Sequence, residues 1–267
     1  MNPDVNNIKL LLVVGVAVML LLFVSFLLIF IFTQRSKYQY RQHLQQMREA
    51  QQNQLIEAAV RSEESERHRI AEELHDEVGA LLSATKLHLH ALKPDEHSKA
   101  SSFYSKVKEL LDDSIHKVRG ISHSLHSSIL QEFGLNEAIR HFAAKLSHDD
   151  VMESTVSLDD SYITTNPPND ISIYRILQEL TNNIIKHGQP QKIHIRSVYK
   201  SNVLQITVTH NGIGLTQEQF EDLRYKKNGL GLKNIQNRII LLKGNIEFSH
   251  KRQEGCYYID IFVPQKA

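Results

Sequence analysis

His75 and Asp76 stand side by side within residues 66–82 (ERHRIAEELHDEVGALL). An exposed imidazole next to a carboxylate can act as a nucleophile, one ring nitrogen attacking while the carboxylate takes or holds the proton of the other. A second polar group lies in QELTNNIIKH, residues 178–187, where Glu179, Asn183 and Lys186 recur at steps of four and three and so share one face of a helix. A carboxylate, an amide oxygen and an ammonium together suit Mg²⁺ bridging to phosphates, because Mg²⁺ takes hard oxygen ligands and lysine offsets phosphate charge. Two glycine turns follow. His210-Asn211-Gly212-Ile213-Gly214 comes after a strand pattern, where glycine permits close backbone approach to a ligand. Asn228-Gly229-Leu230-Gly231-Leu232 opens a helix pattern whose free N–H groups can hold an anion. A solvated charged face accounts for His75-Asp76 taken alone, and any one glycine turn is ordinary. The order and spacing of the turns behind the polar helix point to a phosphate site.

These residues need elements to position them. In residues 66–92 a helix places Ile70, Leu74, Val78, Leu81 and Thr85 at steps of four, four, three and four, which predicts a buried seam with His75 beside it. Lys93-Pro94-Asp95 is a turn that ends this helix. A second helix over about 100–128 repeats the seam through Val107, Leu111, Ser114, Val118, Ile121 and Leu125. Two antiparallel helices with one apolar stripe each bury both stripes well only by pairing with a second copy into a four-helix bundle. Beyond Phe133-Gly134-Leu135 the pattern predicts a short helix (136–147), a strand (155–158), a Pro167-Pro168 turn and a helix (170–187). Strands at 192–199 and 203–210, a helix at 232–242 and strands at 245–249 and 256–263 complete it, with Gly244 and Gly255 breaking the last strands. The last four strands alternate with period two as an antiparallel sheet does. The fold class expected is α plus α/β: a helical hairpin followed by a separate α/β sandwich.

Composition bounds the rest. Among 267 residues, 31 basic side chains face 30 acidic ones, so bulk charge recruits no nucleic acid and no direct nucleic-acid binding is expected. The single cysteine, Cys256, excludes an internal disulfide and fits a reducing cytosol. The 15 histidines lack metal-ligand spacing, and no zinc site is expected. Residues 10–32 carry no charge and are long enough to cross a hydrocarbon core of about 30 Å at 1.5 Å per residue. A signal peptide has a shorter apolar core, roughly 7–15 residues, and a small-x-small site after it. Arg35, Lys37 and Arg41 follow the run, against Lys9 and Asp4 before it, which places the C-terminal side in the cytoplasm and leaves residues 1–9 as a short extracytoplasmic tail. Residues 33–65 read as a polar helix without Gly or Pro. Leu44, Met47, Gln51, Gln54 or Leu55, and Ala58 form a weak heptad, and a two-stranded coiled coil and a monomeric helix both remain open.

Residues 66–82 resemble the phosphoacceptor box of sensor histidine kinases of the H-D-x-x-x-Q type, the nitrate/nitrite-sensor-like group. Residues 179–187 resemble the N box of the ATP-binding fold shared by histidine kinases, gyrase, the Hsp90 chaperones and the MutL repair proteins, and the two glycine turns resemble its glycine boxes. The resemblance runs from about residue 66 to the C-terminus. It implies a dimerisation and phosphotransfer domain (66–130), an ATP-binding domain (131–267), a homodimer, and a bacterial cytoplasmic-membrane location with one helix in lipid. It implies that His75 is phosphorylated from ATP with Asp76 as base. Asn183 would bind Mg²⁺ directly with Glu179 in support, and Lys186 or His187 would meet phosphate. His210, Gly212 and Gly214 would form one wall and Gly229, Gly231 and Leu232 the other, below a mobile lid. The phosphoryl group would pass to an aspartate of a response regulator on a separate chain. Two positions depart from the pattern: His210 stands where the family has an Asp that accepts a hydrogen bond from the adenine amino group, and Ala80 where it has a Gln associated with phosphatase chemistry. The rival expectation is a catalytically impaired homologue acting as a dimerisation or scaffold partner. A gyrase- or chaperone-type ATPase would leave the His75 helix unexplained.

Overall fold

The computed structural model describes residues 3–92, 99–125, 128–147, 152–164, 166–223, 230–251, 253 and 255–265. The expected 93–95 turn and Gly229 lie outside the described residues. The chain divides into two compact units, Met1–Leu55 and Ile56–Ala267.

The described residues of the first unit lie within helix α1 (Pro3–Glu73), which runs unbroken from the apolar run into the polar stretch. By length and composition this helix can cross a membrane. Its aliphatic and aromatic side chains at 16–32 are exposed.

In the second unit the end of α1, a π-turn at Leu74–Val78, and helix α2 (Gly79–Ala91) form one arm of a hairpin, with α3 (Lys99–Leu125) as the other. The π-turn carries the i→i+5 bond from the Gly79 N–H to the Leu74 carbonyl, which inserts one extra residue into the helical phase. The inward-facing seam therefore runs from buried Ala71 through half-buried Leu74, Gly79, Leu82, Lys86 and Leu89, with a step of five across the turn. Val78 and Leu81, expected inside from an uninterrupted α period, are 36% and 68% exposed. On α3 Tyr104, Val107, Lys108, Leu111, Ile115, Val118, Ser122 and Leu125 turn inward, so of the expected positions Ser114 and Ile121 yield to their neighbours. Ser122 wins over Ile121 because Ala71 lies against it, and its hydroxyl donates to the Ala71 carbonyl at 3.0 Å.

The remaining residues form a two-layer α/β domain. Helix α4 (Ser128–Leu146) kinks at Gly134, whose φ of 81° lies in the left-handed region. The sheet has five strands in the order β1-β2-β3-β5-β4: β1 (Glu153–Ser157), β2 (Lys192–Lys200), β3 (Val203–His210), β4 (Asn245–Lys251) and β5 (Cys256–Pro264). The β1–β2 pair is parallel and the other three are antiparallel. Alternation along β3 turns Leu204, Ile206, Val208 and His210 to the buried face. They meet helix α5 (Pro167–Asn183), whose Ile173, Ile176, Leu177 and Leu180 fill the core together with Ile235 and Ile239 of helix α7 (Leu230–Leu241). The Pro167-Pro168 pair, expected as a turn, is the first turn of α5, where a missing N–H costs nothing. Asp170 lies buried behind it, accepting from the Tyr162 hydroxyl at 2.5 Å and the Thr164 hydroxyl at 2.6 Å, and burial raises its carboxyl pKa. Helix α6 (Gln217–Leu223) was not expected. Thr216 and Gln219 cap it reciprocally, a Thr-x-x-Gln capping box legible in the sequence.

Candidate active site

Between α5, the loop after β3 and the start of α7 lies a cavity of about 570 Å³. Glu179, Asn183, Lys186, His187, His210, Gly214, Gly231 and Leu232 all line it. Its remaining walls are hydrocarbon, from Leu180, Ile184, Ile213, Leu215, Phe248 and Ile259 among others, which motif reading did not identify. A cavity of this size with apolar walls and a few convergent polar groups suits a flat heterocycle with a charged tail.

Glu179 and Asn183 sit one turn apart on α5, the Asn183 amide donating to Glu179 Oε1 at 3.5 Å. Past Asn183 the helix widens into a second π-turn (Ile184–Gly188), which leaves Lys186 and His187 exposed at the rim. The start of α7 comes so close that a Cβ on Gly231 would lie 2.0 Å from Glu179 Oε1 and 3.5 Å from Asn183 Nδ2. A carboxylate and an amide oxygen beside a helix N-terminus fit one hard divalent cation and phosphate oxygens, since Mg²⁺ keeps few protein ligands and completes its shell with phosphate and water. Gly231→Ala is expected to leave the melting temperature within a few degrees, because only the flexible end of Glu179 must move. Affinity for Mg-nucleotide should fall about tenfold or more by calorimetry if that carboxylate holds the cation.

The first glycine turn works differently from expectation. A Cβ on Gly212 would lie 2.3 Å from the Gly188 carbonyl, and Ile213 N–H donates to that same carbonyl at 2.9 Å. Gly212 thus admits a neighbouring backbone rather than a ligand, and Gly188, which motif reading did not identify, is its counterpart. At Gly214 a Cβ would lie 2.3 Å from the Tyr257 ring. Tyr257 in turn stacks on His210, centroids 5.5 Å apart at 13°, and on His250 at 4.1 Å and 16°.

His210 is 2% exposed and its Nδ1 has no partner. Burial lowers its pKa from 6.5 to about 4. In the unfolded chain the ring protonates near its ordinary value, so the folded state loses stability as pH falls from about 6.5 towards 4 and is unaffected above that window. The loss is on the order of 3 kcal/mol at most. Denaturation midpoints of the wild type should therefore fall more steeply across that window than those of His210→Leu.

His75 and Asp76 lie elsewhere, both exposed on the π-turn of the hairpin. Neither lines the cavity. Residues 66–130 match the family described as histidine kinase, and residues 169–267 match the family of histidine kinase-, DNA gyrase B- and HSP90-like ATPases. Together the two spans take in more than half of the chain. The chain belongs to the sensor histidine kinases.

Among its curated relatives are the sensor histidine kinase MctS of Rhizobium johnstonii, 24% identical over 205 residues, 76% of this chain and 44% of MctS. The oxygen sensor histidine kinase NreB of Staphylococcus carnosus is 24% identical over 215 residues, 79% of this chain and 60% of NreB. This histidine kinase thus spans about half the length of those relatives. Among solved structures, the histidine kinase domain of the Erythrobacter litoralis EL346 blue-light activated kinase matches at a TM-score of 0.44 and 14% identity, over 69% of this chain and 94% of that one. The Acinetobacter baumannii histidine kinase AdeS matches at 0.41 and 20%, over 70% and 95%.

Two buried arginines join the kinase's ATPase-like domain to its hairpin. Arg175 is 8% exposed and donates to both Glu64 oxygens, at 3.0 Å to Oε1 and 3.2 Å to Oε2, to the Ser124 carbonyl at 3.0 Å and to the Leu125 carbonyl. Arg238 is 3% exposed and reaches Glu63 and Glu64, each at 3.0 Å. No motif pointed to either arginine.

Proposed function

We propose that this chain is a membrane-anchored, dimeric histidine kinase that transfers the γ-phosphoryl group of ATP to His75 and then to an aspartate of a separate response regulator. The observation that carries the reading is the convergence of Glu179, Asn183 and Gly231 on one cavity with apolar walls, in a chain that also presents an exposed imidazole. The hydrocarbon walls would take the purine, and the rim cations Lys186 and His187 would meet the phosphates. Asn183 and Glu179 would hold Mg²⁺, which supplies neutralisation of phosphate charge when bound. The His75 Nε2 lone pair attacks the γ-phosphorus in line, the bond from phosphorus to the β–γ bridging oxygen breaks, and ADP departs. Asp76 holds the Nδ1 proton or takes it as the ring's basicity changes. Since neither His75 nor Asp76 lines the cavity, the ATP-binding domain must move, or act on a second copy, before transfer.

A second copy has a surface to bind. Val78, Leu81 and Leu92 on one arm of the hairpin, and Phe103, Leu110 and Ile121 on the other, are apolar and exposed in the single chain. Pairing two hairpins into a four-helix bundle would bury them. Arg35, Lys37 and Arg41 support a cytoplasmic location for everything after the apolar run.

Incubating the detergent-solubilised chain with labelled ATP and Mg²⁺ tests the reading. Bound phosphate should be labile to acid and stable to base, as a phosphohistidine is. Label stable to acid, or none at all in a chain that binds ATP, would refute it.

A further inference from the structure

The turn that carries His75 holds one residue more than the packing of the hairpin asks for. The inward positions of the first arm, Ala71, Leu74, Gly79, Leu82, Lys86 and Leu89, follow one another at steps of three, five, three, four and three. With one residue fewer between Leu74 and Gly79 the steps would be three, four, three, four and three, an unbroken heptad. None of the five residues of the turn is buried and no side chain caps it, so no core contact explains the extra residue. It goes instead to the outer arc, where exposed His75, Asp76, Glu77 and Val78 stand between Leu74 and Gly79. Spreading one turn over five residues narrows the angle between successive side chains below the about 100° of an α-helix. His75 and Asp76 therefore point out of more nearly one face. Single π-turns inside α-helices gather at functional sites, and the other one in this chain, Ile184–Gly188, leaves Lys186 and His187 at the cavity rim.

We propose that the residue inserted in this turn is a positioning element for phosphoryl transfer, aiming His75 with Asp76 beside it and serving neither the packing of the hairpin nor its pairing with a second copy. In-line transfer is sensitive to placement, a shift of about 1 Å costing on the order of a hundredfold. The apolar surface offered to a second copy is indifferent to the insertion, because Val78 and Leu81 directly precede Gly79 and Leu82 with or without residue 77. The inference rests on the proposed transfer to His75 and adds what aims the acceptor.

Deletion of Glu77 removes the insertion, and Glu77→Ala removes the same side chain while keeping the count. Each full-length variant in detergent is given labelled ATP with Mg²⁺, or phosphoramidate, a small donor that passes its phosphoryl group to an exposed ring nitrogen and releases ammonia. Label at His75 is the part that His75→Gln lacks. The deletion should lower incorporation from ATP about a hundredfold. Its melting temperature, its mass in solution, its affinity for Mg-ADP and its labelling by phosphoramidate should match the wild type. Glu77→Ala should match the wild type throughout. Undiminished incorporation from ATP in the deletion would overturn the inference and leave the kinase reading standing. So would an equal loss in Glu77→Ala, which would assign the effect to the side chain. A deletion variant that unfolds, or that phosphoramidate no longer labels, would show that the extra residue serves packing or exposure, and the inference would fall. If the wild type binds Mg-ADP but takes no phosphate from ATP, the kinase reading itself falls and the inference with it.

Discussion

Phosphate incorporation from labelled ATP is expected to fall to background in His75→Gln, with the dissociation constant for Mg-ADP unchanged. Glutamine preserves length and polarity but offers no nucleophilic nitrogen, so the substitution removes the acceptor and little else. His75 is exposed, so the stability change should stay within about 0.5 kcal/mol. Its absence from the cavity lining is why binding should be spared. Asp76→Asn tests the companion role differently. The amide cannot take a proton, so incorporation should slow by roughly 10²–10⁴-fold, the usual contribution of a positioned base, without loss of nucleotide affinity. Phosphate that persisted in His75→Gln would remove His75 from the reaction. Binding lost together with incorporation would mean that the hairpin supports the cavity in a way the lining residues do not suggest.

What the sequence made legible follows the range of the interactions. Glu179, Asn183 and Lys186 were found together because they lie within two turns of one helix, and the structure does bring them to one cavity. Gly231 was identified for its helix N-terminus, while its steric reason, the carboxylate 2.0 Å from where a Cβ would be, depends on a contact with residue 179 that no local pattern encodes. On the first arm of the hairpin the expected seam fails at the π-turn. A strict α period carries Ile70 and Leu74 on to Val78, but the π-turn around His75 adds a residue, and half-buried Gly79 takes the inward place. The same insertion turns Val78 and Leu81 outward, so the apolar surface left for a second copy is set by the turn that presents His75. Helix α6 is short and has only its Thr216–Gln219 capping box as a local signal. Gly188 gave no sign at all, since its partner, Ile213, comes from another turn.

The contact least visible in the sequence supports the second large effect. Replacing Glu63 and Glu64 together by Gln is expected to free the ATP-binding domain from the hairpin, at a cost to docking of about 3–5 kcal/mol. Arg175 and Arg238 are almost wholly buried, and the two glutamates, 29% and 23% exposed, are the carboxylates they reach. Without them, Arg175 keeps only neutral acceptors, the Ser124 and Leu125 carbonyls and Gln178 Oε1, and Arg238, whose other terminal nitrogen is already unpartnered, keeps less. A buried guanidinium without its counter-charge is penalised far more than the solvent-screened pair of Lys86 and Asp112, 2.6 Å apart across the hairpin, so Asp112→Asn should leave the docking unchanged. Hydrogen exchange should accordingly rise at the end of α3 and around Arg238 near the end of α7 in the double variant and stay unchanged in Asp112→Asn. Because the docked arrangement holds His75 out of the cavity, the freed domain should also phosphorylate His75 faster. Faster exchange with slower incorporation would instead make the arginine contacts part of the productive arrangement, and unchanged exchange would mean that other contacts hold the domain in place.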